Sequence, residues 1–327
     1  MSDSDLPRII VVKGGWLTTV QDLGRYGYQH YGVSAAGAMD SFSTRVANRL
    51  VGNPDRAAVL ELTLKGPELQ FEQDSVIAVT GADLSPTIDS HSIPMWESIT
   101  VQRGSRLSFG TRRAGARAYL AIAGGIDVPS ALGSRSTHCA SETGGFGGRP
   151  LKSGDILCSG KPGKSTDRSI GTRLPDHLHP RYEHSATLRI IPGPQQGFFS
   201  EHSFATLTTA AYIVSPQSDR MGYRLTGPKI AWKESARFIS DGTAMGALQI
   251  PPDGQPILLM ADRQTTSGYP KIAVVISADL PLAAQLSPGD SITFARCTLA
   301  KARTALLKQR AMLDATLPPQ DDSHVNT

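Results

Sequence analysis

At 327 residues the chain is long enough for two domains with a core each, while its longest apolar runs, at 118–126 and 272–276, fall far short of the ~18 residues of a membrane helix. The 33 Lys and Arg against 29 Asp and Glu give a net charge of +4, spread along the sequence with no aromatic–basic platform, which argues against a nucleic-acid partner. Cys139, Cys158 and Cys297 make an odd set with no paired spacing, and the opening MSDSDLPR has neither the basic nor the apolar part of a signal peptide, so a reducing, cytoplasmic setting is expected.

In chain order, the first strong signal is the stretch 18–40, TTVQDLGRYGYQHYGVSAAGAMD. Gln21, Asp22, Arg25, Gln29, His30, Ser34 and Asp40 stand between glycines at 24, 27, 32 and 37. Glycines this frequent deny the segment a stable helix and allow close approach of backbone to a ligand, so it reads as a site. A helix follows at 41–51, with Asp40 as its N-cap and Gly52 as its stop. Near-continuous apolar runs at 76–80, 119–123, 257–260 and 272–276 read as strands covered on both faces or closed into a barrel. Each run is soon followed by an aspartate: Asp83, Asp127, Asp262 and Asp279. An aspartate there is ordinarily a turn residue bonded to its own backbone.

Several tempting motifs fail. TGGFGG at 143–148 does not join a predicted strand to a helix and reads as a flexible loop. Cys139 beside His138 lacks an orienting acid and reads as a bystander thiol. Gly163-Lys164-Ser165 is no phosphate loop, because the required earlier glycine is Cys158. Histidines 177, 179 and 184 match no zinc spacing, and no metal site is expected. Past Phe294, Leu299, Leu306 and Leu313 recur at helical spacing, so a C-terminal amphipathic helix is predicted, followed by a tail, PPQDDSHVNT, too polar to fold.

Short matches recur in order through both halves. Arg8-Ile9-Ile10 returns as Arg189-Ile190-Ile191 and Val33-Ser34 as Val214-Ser215. Gly66-Pro67-x-Leu69-x-Phe71 returns as Gly227-Pro228-x-Ile230-x-Trp232, Ala82-Asp83 as Ala261-Asp262, and Ser153-Gly154-Asp155 as Pro288-Gly289-Asp290. The pattern is that of two copies of one β-rich unit, at 6–160 and 186–295, with a linker at 161–185 and the helix and tail at 296–327.

In the second copy, ADRQTTSGYPK at 261–271 crowds Asp262, Arg263, Gln264, Thr265, Tyr269 and Lys271 into one loop between buried strands. Rigid strands holding such a loop make it a substrate-positioning site. Arg263 and Lys271 suit carboxylate or phosphate, and Gln264 with the threonines suits an amide or ureido group. Arg220, in SPQSDRMGYRL at 215–225, joins them. Asp22, Arg25, Asp262 and Lys271 are the candidates for catalysis. Gln21, Asp40, Arg220, Arg263, Gln264, Thr265 and Tyr269 are the candidates for binding, all expected to converge on one cleft.

Taken together, the 18–40, 215–225 and 261–271 segments make the chain resemble the biotin-dependent carboxyltransferase family from about Ile9 to about Phe294. The resemblance implies a mainly β fold of two tandem cyclophilin-like barrels with a few short helices. It also implies one of three roles. One is the C component of ATP-dependent 5-oxoprolinase, acting with the A and B components of that complex on a small-molecule lactam. Another is carboxyl transfer from carboxybiotin to a urea-like acceptor, with biotin and its carboxylase supplied by partners. The third is regulatory binding, as in relatives that antagonise a kinase inhibitor. Asp262-Arg263-Gln264-Thr265 follows the oxoprolinase pattern; urea-carboxylating relatives tend to Asp-Gly-Pro-Ser.

Overall fold

A computed structural model describes residues 7–163, 166–233 and 239–319. The chain divides into two compact units. One takes the chain up to Arg25, then Asp40–Arg181 and the stretch from Met312; the other takes Tyr26–Met39 and Tyr182–Ala311.

The first unit is built from two antiparallel sheets. Its five-stranded sheet has Ala114–Ile122 and Ser75–Asp83 at its middle, the two runs that the sequence marks as covered on both faces. One face packs into a core with Leu60, Ile77, Val79 and Leu120, and the helix Ser41–Leu50 covers the other. That helix starts as its sequence demands, with the Asp40 carboxylate accepting from Ser43 N at 2.9 Å and Ser43 Oγ at 2.6 Å. It ends at Gly52, whose φ of 75° is the left-handed stop that glycine permits. Phe42, Val46, Ala47 and Leu50 form its buried stripe. The segment 166–181 is folded onto this unit: Leu174 is buried, and Ser98 donates to Ser169 O and Thr172 O.

The second unit is a closed barrel of seven strands: Ser185–Pro192, Lys271–Val275, Ala247–Gln249, Ile257–Leu259, Gly222–Thr226, Ala211–Val214 and Ser291–Arg296. Alternation along Gly222–Thr226 sends Tyr223 and Leu225 inward and leaves Arg224 and Thr226 outside. Met39, from the 26–39 excursion, is part of the same core as Leu188, Leu258 and Phe294. The predicted C-terminal helix is Leu299–Thr316. The tail from 320 onward, and Lys164 and Ser165, lie outside the described residues. Among the described residues no helix is long and apolar enough to cross a membrane, and no cluster of His, Cys, Asp or Glu could hold a metal ion.

The repeated letters mark matching local devices. Gly154 and Gly289 turn at φ 89° and 93°. Asp155 Oδ2 then accepts from Lys152 N, and Asp290 Oδ2 from Ser287 N, each at 2.8 Å. Gly66 and Gly227 each lie against an aromatic ring, Phe109 and Tyr212, where a Cβ would stand 2.4 and 2.5 Å from a ring carbon. Pairing diverges between the units. The final strand of the first unit runs antiparallel to its opening strand, whereas that of the second runs parallel. Val214 ends a strand, while Val33 lies in a loop. A turn is specified by four residues, but strand direction is specified by closure of the whole sheet.

Both turn aspartates carry depressed pKa values. For Asp155 the Arg149 guanidinium is the main cause, working against burial with help from Lys152 N–H. For Asp290 burial pushes upward, but the Ser287 N–H, His184 and the Ser287 hydroxyl together prevail. A carboxyl more acidic folded than unfolded stabilises the fold at neutral pH, and that stability drains away as pH falls through the folded value. Thermal melts from about pH 5 downward should therefore show an acid limb that Asp155→Asn and Asp290→Asn each flatten, alongside a loss at neutral pH. Parallel curves for variant and parent would exclude these carboxylates as its source.

Candidate functional site

In the first unit Gln21, Asp22 and Arg25 of the opening stretch are spent mainly on holding a second segment, 131–137. Asp22 follows the strand Leu17–Gln21. Its Oδ1 accepts from Gly24 N at 2.7 Å, Ser134 Oγ at 2.7 Å and Ser136 Oγ at 2.5 Å, and its Oδ2 from Arg135 N at 2.6 Å. A carboxylate with four donors, three of them crowded on one oxygen, is a clamp on the 134–136 segment. Arg25, 1% exposed, donates to Ala131 O and Ser136 O. Gln21 donates to Thr19 Oγ1 and Thr137 O, and its Oε1 is a buried acceptor with no partner among the described residues. These three expected site residues therefore come together around one segment, 131–137. Asp40 serves the helix.

Sequence reasoning missed a buried network beside it. Tyr119 donates to Glu61 Oε2 at 2.8 Å and accepts from Asp40 N at 2.8 Å. Burial, with Glu61 and Asp40 nearby, drives the phenol far above its ordinary pKa. The available signal was one glutamate inside the apolar strand VLELT.

The second unit gathers the other expected residues. Arg220 and Asp262 form a two-bond pair, Nε to Oδ2 and Nη2 to Oδ1, each 2.9 Å, with side chains only 7% and 9% exposed. Arg220 also donates to Gly37 O at 2.7 Å. Both carboxylate oxygens that a catalyst would use are thus committed to structure. Arg263 differs. Its Nε is buried without a partner among the described residues, and its best side-chain contact is a 3.4 Å bond from Nη1 to Met260 O. Burial lowers its pKa, with Tyr26 and Asp262 opposing. A largely desolvated guanidinium so poorly satisfied has N–H donors left over that suit an anion. Its backbone is pinned by Ser34 Oγ donating to Arg263 O.

Thr265 O accepts from Thr243 N at 3.0 Å, and Gln264 O accepts from Thr243 Oγ1, which fixes the loop and leaves both side chains to project. Lys271 opens a barrel strand and is 2% exposed, its ammonium 3.8 Å from Asp241 Oδ2. Asp241 is steadied by Gln195 Nε2 at 2.9 Å, and Gln195 Oε1 accepts from Lys271 N. Burial pulls the lysine pKa down, with Asp241 opposing. Such an amine is nearer to neutrality than a solvated one and suited to proton transfer or to meeting developing negative charge.

A concavity of about 700 Å³ opens on the outer face of the barrel. Gln264 and Tyr269, expected from the sequence, line it together with Gln217, Arg224 and Gln249. Gln195, Asp241 and Gln249 were not foreseen. The signal for Gln249 was a single polar residue in the strand ALQ, with only 3% exposure yet a place on the concavity.

The family described as carboxyltransferase domain, subdomain A and B, matches residues 31–296. The chain is 38% identical over 300 residues to the C component of 5-oxoprolinase from Escherichia coli K12, covering 92% of this chain and 94% of that one. Against the Haemophilus influenzae protein of the same name it is 36% identical, covering 90% and 93%. It is also 38% identical over 293 residues to the urea amidolyase of Saccharomyces cerevisiae, covering 85% of this chain but 16% of that one. The crystal structure of Kluyveromyces lactis urea amidolyase superposes with a TM-score of 0.88 at 35% identity, covering 95% of this chain and 20% of that one. The chain therefore spans nearly all of the two oxoprolinase components and a fifth or less of the two amidolyases.

Proposed function

Because the chain belongs to the carboxyltransferase-domain family over residues 31–296, we propose that it acts as the C component of an ATP-dependent 5-oxoprolinase, which with its A and B components opens 5-oxo-L-proline to L-glutamate. The observation that carries this is reciprocal coverage: the chain accounts for 94% and 93% of two proteins named as the C component of 5-oxoprolinase, against 16% of an amidolyase of similar identity. A cytoplasmic location goes with the reading.

The chemistry asks for what the second unit offers. A lactam amide resists water, and phosphorylation of its carbonyl oxygen by ATP makes the carbon a better electrophile. Arg263 suits the carboxylate of the substrate, since its guanidinium is desolvated and short of acceptors. Gln264 and Thr265 suit the ring amide. Lys271 supplies a buried amine where negative charge develops on oxygen. A second reading, carboxyl transfer to a urea-like acceptor, draws on the TM-score of 0.88 with the urea amidolyase and would take biotin on a carrier protein.

The chain has no recognisable nucleotide-binding motif, so turnover is expected from the complex and not from the chain alone. Purified chain with ATP and 5-oxoproline should release no glutamate, and addition of the A and B components should restore release with ADP formed in proportion. Robust turnover by the single chain, or activity of the complex that avidin abolishes, would sink this reading.

A further inference from the structure

Strand register sets the floor of the barrel's outer concavity. Arg224 and Gln249 each lie directly opposite Ile257, one on either neighbouring strand, so the three side chains share a face. Two inter-strand spacings separate the Cα atoms of Arg224 and Gln249 by about 10 Å. The Arg224 guanidinium makes no hydrogen bond or ion pair among the described residues. Gln249 Oε1 accepts from Ser267 Oγ at 2.7 Å, which fixes the carboxamide and leaves Nε2 as the group it can offer.

Two carboxylates border the same space. Asp219 commits Oδ1 to Met221 N and Gly222 N, and Asp253 commits Oδ1 to Gln255 N, so each keeps its second oxygen. Neither forms an ion pair with Arg224. Charges of opposite sign that line one concavity without neutralising each other disfavour a plain anion, which both aspartates repel. They equally disfavour a plain cation, which Arg224 repels. A zwitterion satisfies both.

We propose that this concavity binds a free α-amino acid, with its carboxylate on Arg224 and Gln249 and its ammonium on Asp219 or Asp253. Glutamate, the product of lactam opening, belongs to this class; 5-oxoproline, whose nitrogen is an amide, does not. The choice of glutamate as natural occupant rests on the lactam-opening reading, whereas the charge argument stands without it. The site is then a product-side or feedback site, in the same unit as Arg263 and Lys271.

Titration calorimetry on the full chain tests the assignment, using L-glutamate and glutarate, which has both carboxylates and no ammonium. Saturable binding of glutamate is expected, with glutarate weaker by about tenfold or more. Arg224→Ala should weaken glutamate binding by a similar factor. Asp219→Asn combined with Asp253→Asn should erase the preference for glutamate over glutarate, and melting curves will report whether the fold is intact, as expected for exposed positions. No heat from glutamate at about 10 mM, equal affinity for glutarate, or unchanged binding by both variants would overturn it. ATP-dependent turnover by the assembled complex is a separate measurement, so failure of either proposal leaves the other standing.

Discussion

Asp262→Ala lowers the melting temperature of the protein by about 10 °C, the largest single-residue loss expected in the barrel unit. The substitution removes both carboxylate bonds to a guanidinium, that of Arg220, that is almost wholly shielded from water and that also donates to the Gly37 carbonyl. Breaking a buried pair from one side costs about 3–5 kcal/mol, because the remaining charge is uncompensated. For a unit of this size each kcal/mol corresponds to roughly 2–4 °C. Arg220→Leu combined with Asp262→Leu should recover much of the loss, since the pair's removal as a whole strands no charge. Calorimetric melts that move by less than about 2 °C for the single variant would show that water reaches the site.

Arg263→Ala and Lys271→Met, each in the assembled complex, lower kcat/KM for 5-oxoproline by about tenfold or more, equivalent to about 1.4 kcal/mol of transition-state stabilisation. Neither should harm folding much. Arg263 has no strong intramolecular bond to lose through its side chain, and methionine retains most of the lysine's buried volume. Arg263→Lys separates two roles, because lysine keeps the charge but cannot present two parallel N–H groups to a carboxylate. A rise in KM with kcat preserved is expected for Arg263 variants, and a fall in kcat for Lys271→Met. Unchanged kinetics in both, with normal assembly, would make this chain a scaffold for chemistry performed elsewhere.

What could be read from the letters was what short segments specify by themselves. Asp40 followed by SFSTRVANRLV and Gly52 announces a capped helix, because the donors and acceptors of a helix end lie within four residues of it. The crowding of Arg263, Gln264 and Lys271 likewise sets that loop apart in the letters, since no turn needs such side chains. Residue type did not reveal saturation. Asp22 and Lys271 are both ionisable residues bordering a glycine-containing loop, yet one is clamped by four donors and the other is a buried amine beside the Asp241 carboxylate. The difference lies in serines and an aspartate far away in sequence. The row Arg224–Ile257–Gln249 was likewise invisible, because it exists only once the barrel has closed and fixed its register.

The excursion at Tyr26–Met39 bears on how such a protein can be divided. Met39 is 1% exposed within the barrel's core, and Gly37 and Ser34 bond to Arg220 and Arg263, although these residues are encoded well over a hundred positions before the barrel begins. A gene cut once, anywhere between the repeats, would deliver a barrel lacking its own plug and the carbonyl that Arg220 leans on. A vacancy of that size in a packed interior costs about 2–5 kcal/mol. The two halves thus share custody of their parts, which discourages fission of the chain even though its sequence advertises a tandem repeat.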